Sequence, residues 1–292
     1  KLEGNTVSTP KHTITLDKSG LPAQIVIKAD PAELPLPLRA AGVTPSEVDL
    51  QTFGRGPQLR SPIRLQATLG GQALVAEPAK PAQPVAADGG VACQSDIQAG
   101  ALRGSLRVQY GADGSILGEL RYGGQNADVD KLDLVIELAG AFDTVVASTP
   151  VGVQGTTYPE TTTALGTTEG IAWKNLPDAG QDKSPKFPGV LTHFFLGSGD
   201  RGFTWLTPNA AGYSVDLKLP TMVVDRDKKG DITWRISIVN TPTKAKDART
   251  VTFAILVHPS RAKAANRRPD QWKPWKGAPA LPALEWAARK AG

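Results

Sequence analysis

The stretch "LRGSLRVQYGADGSILGELRYGG" (residues 102–124) constrains the fold of this chain more than any other. Leu106 and Val108 alternate with polar neighbours, a Gly-Ala-Asp-Gly turn follows, and Ile116, Gly118 and Leu120 then alternate with charged partners. Successive side chains of a strand point to opposite faces, so a period of two on both sides of a glycine-bearing turn specifies a long hairpin. A hairpin alone is not stable in water, so further strands must pair with it.

The same grammar recurs along the chain. "KHTITLDKSGLPAQIVIKA" sets Ile14 and Leu16, then Ile25 and Ile27, on either side of a "DKSG" turn, with His12 read on the polar phase of its strand. "SPIRLQATLGGQAL" is a further strand-and-turn unit. In "VDKLDLVIELAGAF" the residues Leu132, Leu134, Ile136 and Leu138 are in phase and face one core, and "DTVVAST" adds a strand. "VLTHFFLGS", "GFTWLT", "GYSVDLKL", "DITWRISIVN" and "RTVTFAILVH" read as five successive strands of an antiparallel meander. Trp234 shares a phase with Ile232, Ile236 and Ile238, which places it in the core. The 30 glycines and 24 prolines fall between these runs as punctuation. Three prolines in "ADPAELPLPLRAAG" make it an extended edge or loop. "EPAKPAQPVAADGGVACQSD" reads as a surface loop or linker, and "TYPETTTALGTTEGIAW" as a turn-rich stretch carrying Trp173.

The expected fold is therefore all-β, a large antiparallel β-sandwich of the supersandwich kind over residues 1–265. A sub-lobe boundary, if the sandwich has one, is expected near 77–96. Residues 266–292 form a Trp/Pro-rich tail, irregular or with a short helix in "APALPALEWAARKAG", where Pro282 suits a first turn.

Composition narrows the function classes. The net charge of +5 is scattered except at Arg261, Lys263, Arg267, Arg268, Lys273 and Lys276, which is not a nucleic-acid footprint. One cysteine, Cys93, excludes an intrachain disulfide, and no Cys/His pair has metal-site spacing, so no metal and no cofactor are expected. No apolar run approaches the ~20 residues of a membrane span. The chain opens on Lys1 rather than Met, so the expectation is a secreted protein, extracellular or periplasmic, whose signal peptide has been removed.

Motifs for nucleotide or serine-hydrolase chemistry are missing: there is no P-loop, no Gly-x-Gly-x-x-Gly between a strand and a helix, and no Gly-x-Ser-x-Gly elbow. Glycoside cleavage needs two opposed carboxylates, and Glu160, Glu169, Asp200, Asp216 and Asp225 are the candidates by type. The more telling residues surround "GDRGFTWLTPNAAGY". Flat aromatic faces beside charged groups hold a pyranose by stacking and hydrogen bonding. Trp173, His193, Asp200, Arg201, Trp205, Asn209 and Tyr213 are accordingly the candidate ligand contacts. Phe203 and Trp205 share one face and are either both core or both exposed.

The order "VDKLDLVIELAG", "EGIAWKNL", "HFFLGSGDRGFTWLTPNAAGY", "DITWRISIVNTPTKAKDARTVTFAILVHPSRA" and "RRPDQWKPW" resembles the β-sandwich region of glycoside hydrolase family 123 and its relatives. The opening "TITLDKSGLPAQIVI" is similar to the first hairpin of galactose-mutarotase-like sandwiches. The resemblance implies a carbohydrate-active protein. The family's Asp-Glu pair lies in a (β/α)8 barrel that follows the sandwich, where the substrate's acetamido group is the nucleophile. No repeated strand-helix pattern occurs in these residues, so no catalytic residue carries over. After Trp205 the family's acidic-aromatic run is replaced by Leu206, Thr207, Pro208 and Asn209, without its carboxylate. The expected function is a non-catalytic module that contacts a glycan or supports a neighbouring catalytic domain. Two alternatives stand beside it. One is a self-contained glycoside hydrolase or polysaccharide lyase using His193, Asp200, Arg201 and Tyr213 on a concave sheet face. The other is a self-associating surface or filament protein.

Overall fold

The structure, a computed structural model, describes residues 1–28, 55–87, 89–140, 142–148, 161–176, 187, 189–198 and 201–259. The expected 29–42 loop, the basic run after residue 260 and the tail helix lie outside the described residues. Among the described residues every regular element is a strand. Strands β1 to β5 are Leu2–Glu3, Thr6–Ser8, His12–Leu16, Pro22–Ile27 and Gly56–Pro57. Strands β6 to β12 are Arg64–Leu69, Gln72–Val75, Glu77–Pro78, Val85–Ala87, Gly90–Ala99, Leu102–Gly111 and Ser115–Tyr122. Strands β13 to β17 are Ala127–Val129, Lys131–Leu138, Thr144–Ser148, Thr161–Ala164 and Gly170–Lys174. Strands β18 to β23 are His193–Ser198, Arg201–Leu206, Met222–Arg226, Ile232–Val239, Thr243–Ala245 and Arg249–His258.

Two large sheets form the sandwich. A ten-stranded sheet runs β16-β15-β18-β19-β23-β12-β11-β10-β8, with β9 also paired to β10. A six-stranded sheet runs β17-β20-β21-β14-β6-β7. All their pairings are antiparallel, as the hairpin pattern requires. The inward phases of both sheets share one core, and Phe194 of β18 meets Trp234 of β21 across it with ring centroids 5.1 Å apart. Leu132, Leu134, Ile136 and Leu138 all face this core, as does Trp234. The five-stranded sheet β1 to β5, in sequence order, adds Val7, Ile14, Leu16, Ile25 and Ile27 to the same core.

Several expectations are corrected. His12 is fully buried rather than on a polar phase, because it stands two residues from Ile14 and shares its face. "GYSVDLKL" is not a strand: only Ser214 bridges to Val239, and Leu217 and Leu219 are 61% and 44% exposed. The strand lies further on, at β20, whose buried phase is Met222, Val224 and Arg226. The five-strand meander is broken accordingly, since β18, β19 and β23 belong to the ten-stranded sheet and β20 and β21 to the six-stranded one. The Pro/Ala-rich stretch from Glu77 is not a linker throughout: its last seven residues open the ten-residue strand β10, which pairs along its whole length with β11. The turn-rich stretch before Trp173 contains β16 and β17.

Candidate functional site

Strand β18 divides its side chains between two environments. Phe194 and Leu196 are buried in the core, so His193 and Phe195 project from the opposite, outer face of the ten-stranded sheet. Phe195 lies over backbone rather than standing up from it. A β-carbon at Gly197, two residues along, would stand 2.1 Å from its ring, and one at Gly202, across the pairing, 2.5 Å. Only glycine at both positions lets the ring lie flat.

Neighbouring strands supply polar groups around that ring. Thr204 of β19 is the cross-strand partner of Phe195, and its hydroxyl stands 2.8 Å from Nε2 of His258 on β23. The His258 imidazole meets Phe195 edge-on, with centroids 5.6 Å apart. Burial lowers the His258 pKa to about 4, so at neutral pH the ring is uncharged and able both to donate and to accept a hydrogen bond. Beside this group Leu117, Leu206 and Ala254, with Leu256 against them, form an apolar cluster separate from the core. His193 is the cross-strand partner of Leu206 and closes the other end of the patch. Of these residues His193, Phe195, Leu256 and His258 are half-buried, whereas Thr204, Leu117, Leu206 and Ala254 are buried, so the face presents the Phe195 ring, Leu256 and an imidazole toward each end. A partly exposed ring with imidazoles beside it suits contact with one C–H face and a hydroxyl of a sugar ring.

The sheet separates His193 from Arg201 and Trp205. Arg201 and Trp205 are in phase with Phe203 and point into the core. The Arg201 guanidinium lies 4.4 Å from the centroid of Phe142, and its pKa is lowered by burial with Asp143 opposing. Trp205 is fully buried and stacked on Phe253, with centroids 5.0 Å apart at 15°. Trp173 is half-buried on β17 with its ring 4.9 Å from that of Phe194. Asn209 is exposed and its side-chain oxygen accepts from the Ala211 amide at 2.8 Å. Tyr213 packs against the core, and burial pushes its phenol above the usual range. Asp200 lies outside the described residues.

Among the carboxylates, Glu160 is also outside them. Asp225 pairs with Arg235, Asp216 accepts from the Lys218 amide, and Glu169 is exposed. Phe195, Thr204 and His258 were not singled out from the sequence. The available signal was the pair Gly197 and Gly202, which becomes legible only once the β18–β19 register is known.

The patch does not bring two histidines to one bond. His193 and His258 lie two strands and four residues apart, roughly 16 Å by ordinary strand spacing. Away from this face, the cleft lined by Asp17, Lys18, Arg64, Glu77 and Ile97 holds about 40 Å³, room for a water or two and not for a sugar. Among the described residues no helix is long and apolar enough to cross a membrane, and no three His, Cys, Asp or Glu side chains are grouped to hold a metal. No protein-family model matches the chain, and no curated protein matches it.

Proposed function

We propose that this chain is a non-catalytic β-sandwich module of an exported carbohydrate-active protein, akin to the sandwich region of glycoside hydrolase family 123, and that it contacts a glycan. The contact surface is the outer face of the ten-stranded sheet around Phe195. The observation that supports this reading is the half-buried ring of Phe195 laid over Gly197 and Gly202, with the half-buried, uncharged His258 at its edge and held there by the buried Thr204 hydroxyl. The wide separation of His193 and His258 argues for gripping rather than for acid-base cleavage, which needs both groups at one glycosidic bond. The burial of Arg201 and Trp205 supports a structural role for "GDRGFTW".

Affinity electrophoresis against a panel of polysaccharides, paired with a reducing-end assay, tests this. Retardation by at least one polysaccharide without release of reducing ends is expected. Phe195→Ala should weaken binding about tenfold, the worth of one aromatic stacking contact of roughly 1.4 kcal/mol. Release of reducing ends that disappears in His193→Ala would instead establish the hydrolase or lyase reading.

A further inference from the structure

The glycine-bearing turn between β11 and β12 lies against one buried imidazole, with a second, half-buried one near it. The first is His12, fully buried, whose ring rests so closely on Gly114 that a β-carbon there would be 2.3 Å from Nδ1. Gly114 has a φ of +87°, so any larger residue at this position is opposed by backbone as well as by contact. His258 stands on β23 two residues beyond the Leu256–Ser115 pair at which that register ends, near enough to His12 for the two rings to repel when charged. The turn is tied internally, with the Asp113 carboxylate accepting from both the amide and the hydroxyl of Ser115.

The surroundings of His12 favour an uncharged ring. Its Nδ1 is 3.4 Å from the Thr9 hydroxyl, which also accepts from the His12 amide at 2.9 Å, while Nε2 is buried with no hydrogen-bond partner. A second proton would therefore sit on a nitrogen without an acceptor. The charged groups facing the ring are mostly cationic: Lys11 ahead of β3, Lys28 at the end of β4, and His258 of β23 when protonated. Asp113 of the turn is the anion opposing them. Lys28 is fixed there by donating to the Thr9 carbonyl at 2.6 Å.

We propose that the Gly111–Ser115 turn is an acid-operated latch, in which proton uptake by His12 and His258 opens the turn and the Thr9–His12 segment and thereby dismantles the Phe195 contact surface. The second half rests on the glycan-contact reading; the first does not. The neighbouring β3–β4 hairpin is anchored separately. Tyr110 donates to the Gly20 carbonyl at 2.5 Å, and Ser95 to the Ser19 carbonyl at 2.8 Å. None of those groups gains a proton in mild acid, so that anchor stays closed. Both histidines fall from 6.5 to about 4 on burial. The open form therefore binds more protons in between, and closure weakens as pH drops through that window. With both rings acting, the open-to-closed ratio rises on the order of a thousandfold between about pH 6.5 and pH 4.5.

Amide hydrogen exchange of the full chain, without glycan, at about pH 7 and about pH 4.5 reads this after correction for intrinsic rates. Protection is expected to fall at residues 9–12 and 111–115 and to persist at 19–21 and 93–95. His258→Gln should reduce the acid effect to that of one ring. Unchanged protection at 9–12 and 111–115, or equal loss at 19–21, overturns the latch. Polysaccharide affinity measured at the same two pH values separates the claims: opening without loss of affinity overturns the link to Phe195 and leaves the latch standing.

Discussion

Trp205→Ala is expected to lower the unfolding free energy by about 4 kcal/mol, the usual loss for truncating a fully buried large aromatic. The size follows from where the ring lies. Trp205 stacks on Phe253, and Phe253 in turn lies on Gly118, where a β-carbon would approach its ring to 2.1 Å. Removing the indole leaves a void bounded by rigid strands in the middle of the ten-stranded sheet, which cannot collapse to fill it. Urea unfolding followed by circular dichroism measures the loss. Trp205→Phe serves as a control. The indole N–H is buried without an acceptor, so phenylalanine removes an unsatisfied donor while keeping most of the packing, and about 1 kcal/mol or less is expected. A loss as large for phenylalanine as for alanine would mean that the indole is bound by more than packing. A negligible loss for alanine would mean that the ring is not in the core.

The second large effect is expected at Arg226. Its guanidinium is buried and donates to three carbonyls: Nε to Gly166 at 2.8 Å, Nη1 to Gly230 at 2.9 Å and Nη2 to Phe142 at 2.5 Å. Gly166 follows β16 and Phe142 precedes β15, both in the ten-stranded sheet, whereas Arg226 ends β20 of the other sheet. One side chain thus staples the two sheets near the β16 and β17 edges. Arg226→Met keeps much of the stem but abandons three carbonyls, of which that of Phe142 is buried and those of Gly166 and Gly230 are reached by part-buried bonds, at about 2 kcal/mol in all. Arg226→Lys has a single donor centre and cannot reproduce the planar fork, so it should recover only part of this. Full recovery by lysine would show that charge, not the three-way bonding, matters there.

How far the amino-acid sequence anticipates this structure depends on whether period two alone decides the question. In β14 it does: Leu132 to Leu138 alternate, and one core receives them. It also fixes β11 and β12, whose turn and register follow from the glycines between them. It fails where polar residues occupy core positions. Arg226 stands in the buried phase of β20 and hides that strand, while the alternation of "GYSVDLKL" is real but exposed. His12 is obscured in the same way, a polar side chain on the face of Ile14. The outer-face patch is hidden for a different reason. Phe194 and Phe195 are adjacent and equally apolar, and only the sheet decides that one faces the core and the other the outside. The partners of Phe195 come from β19 and β23, so their proximity is a property of pairing order rather than of any local motif.

The central claim is that the outer face of the ten-stranded sheet, and not the Asn209–Tyr213 loop, meets the glycan. Backbone amide shifts followed by NMR during titration with a retained polysaccharide fragment test it most directly. Shifts are predicted to cluster at residues 193–198, 202–206 and 254–258 on three adjacent strands. Shifts confined to residues 208–213, with the three strands silent, would contradict it.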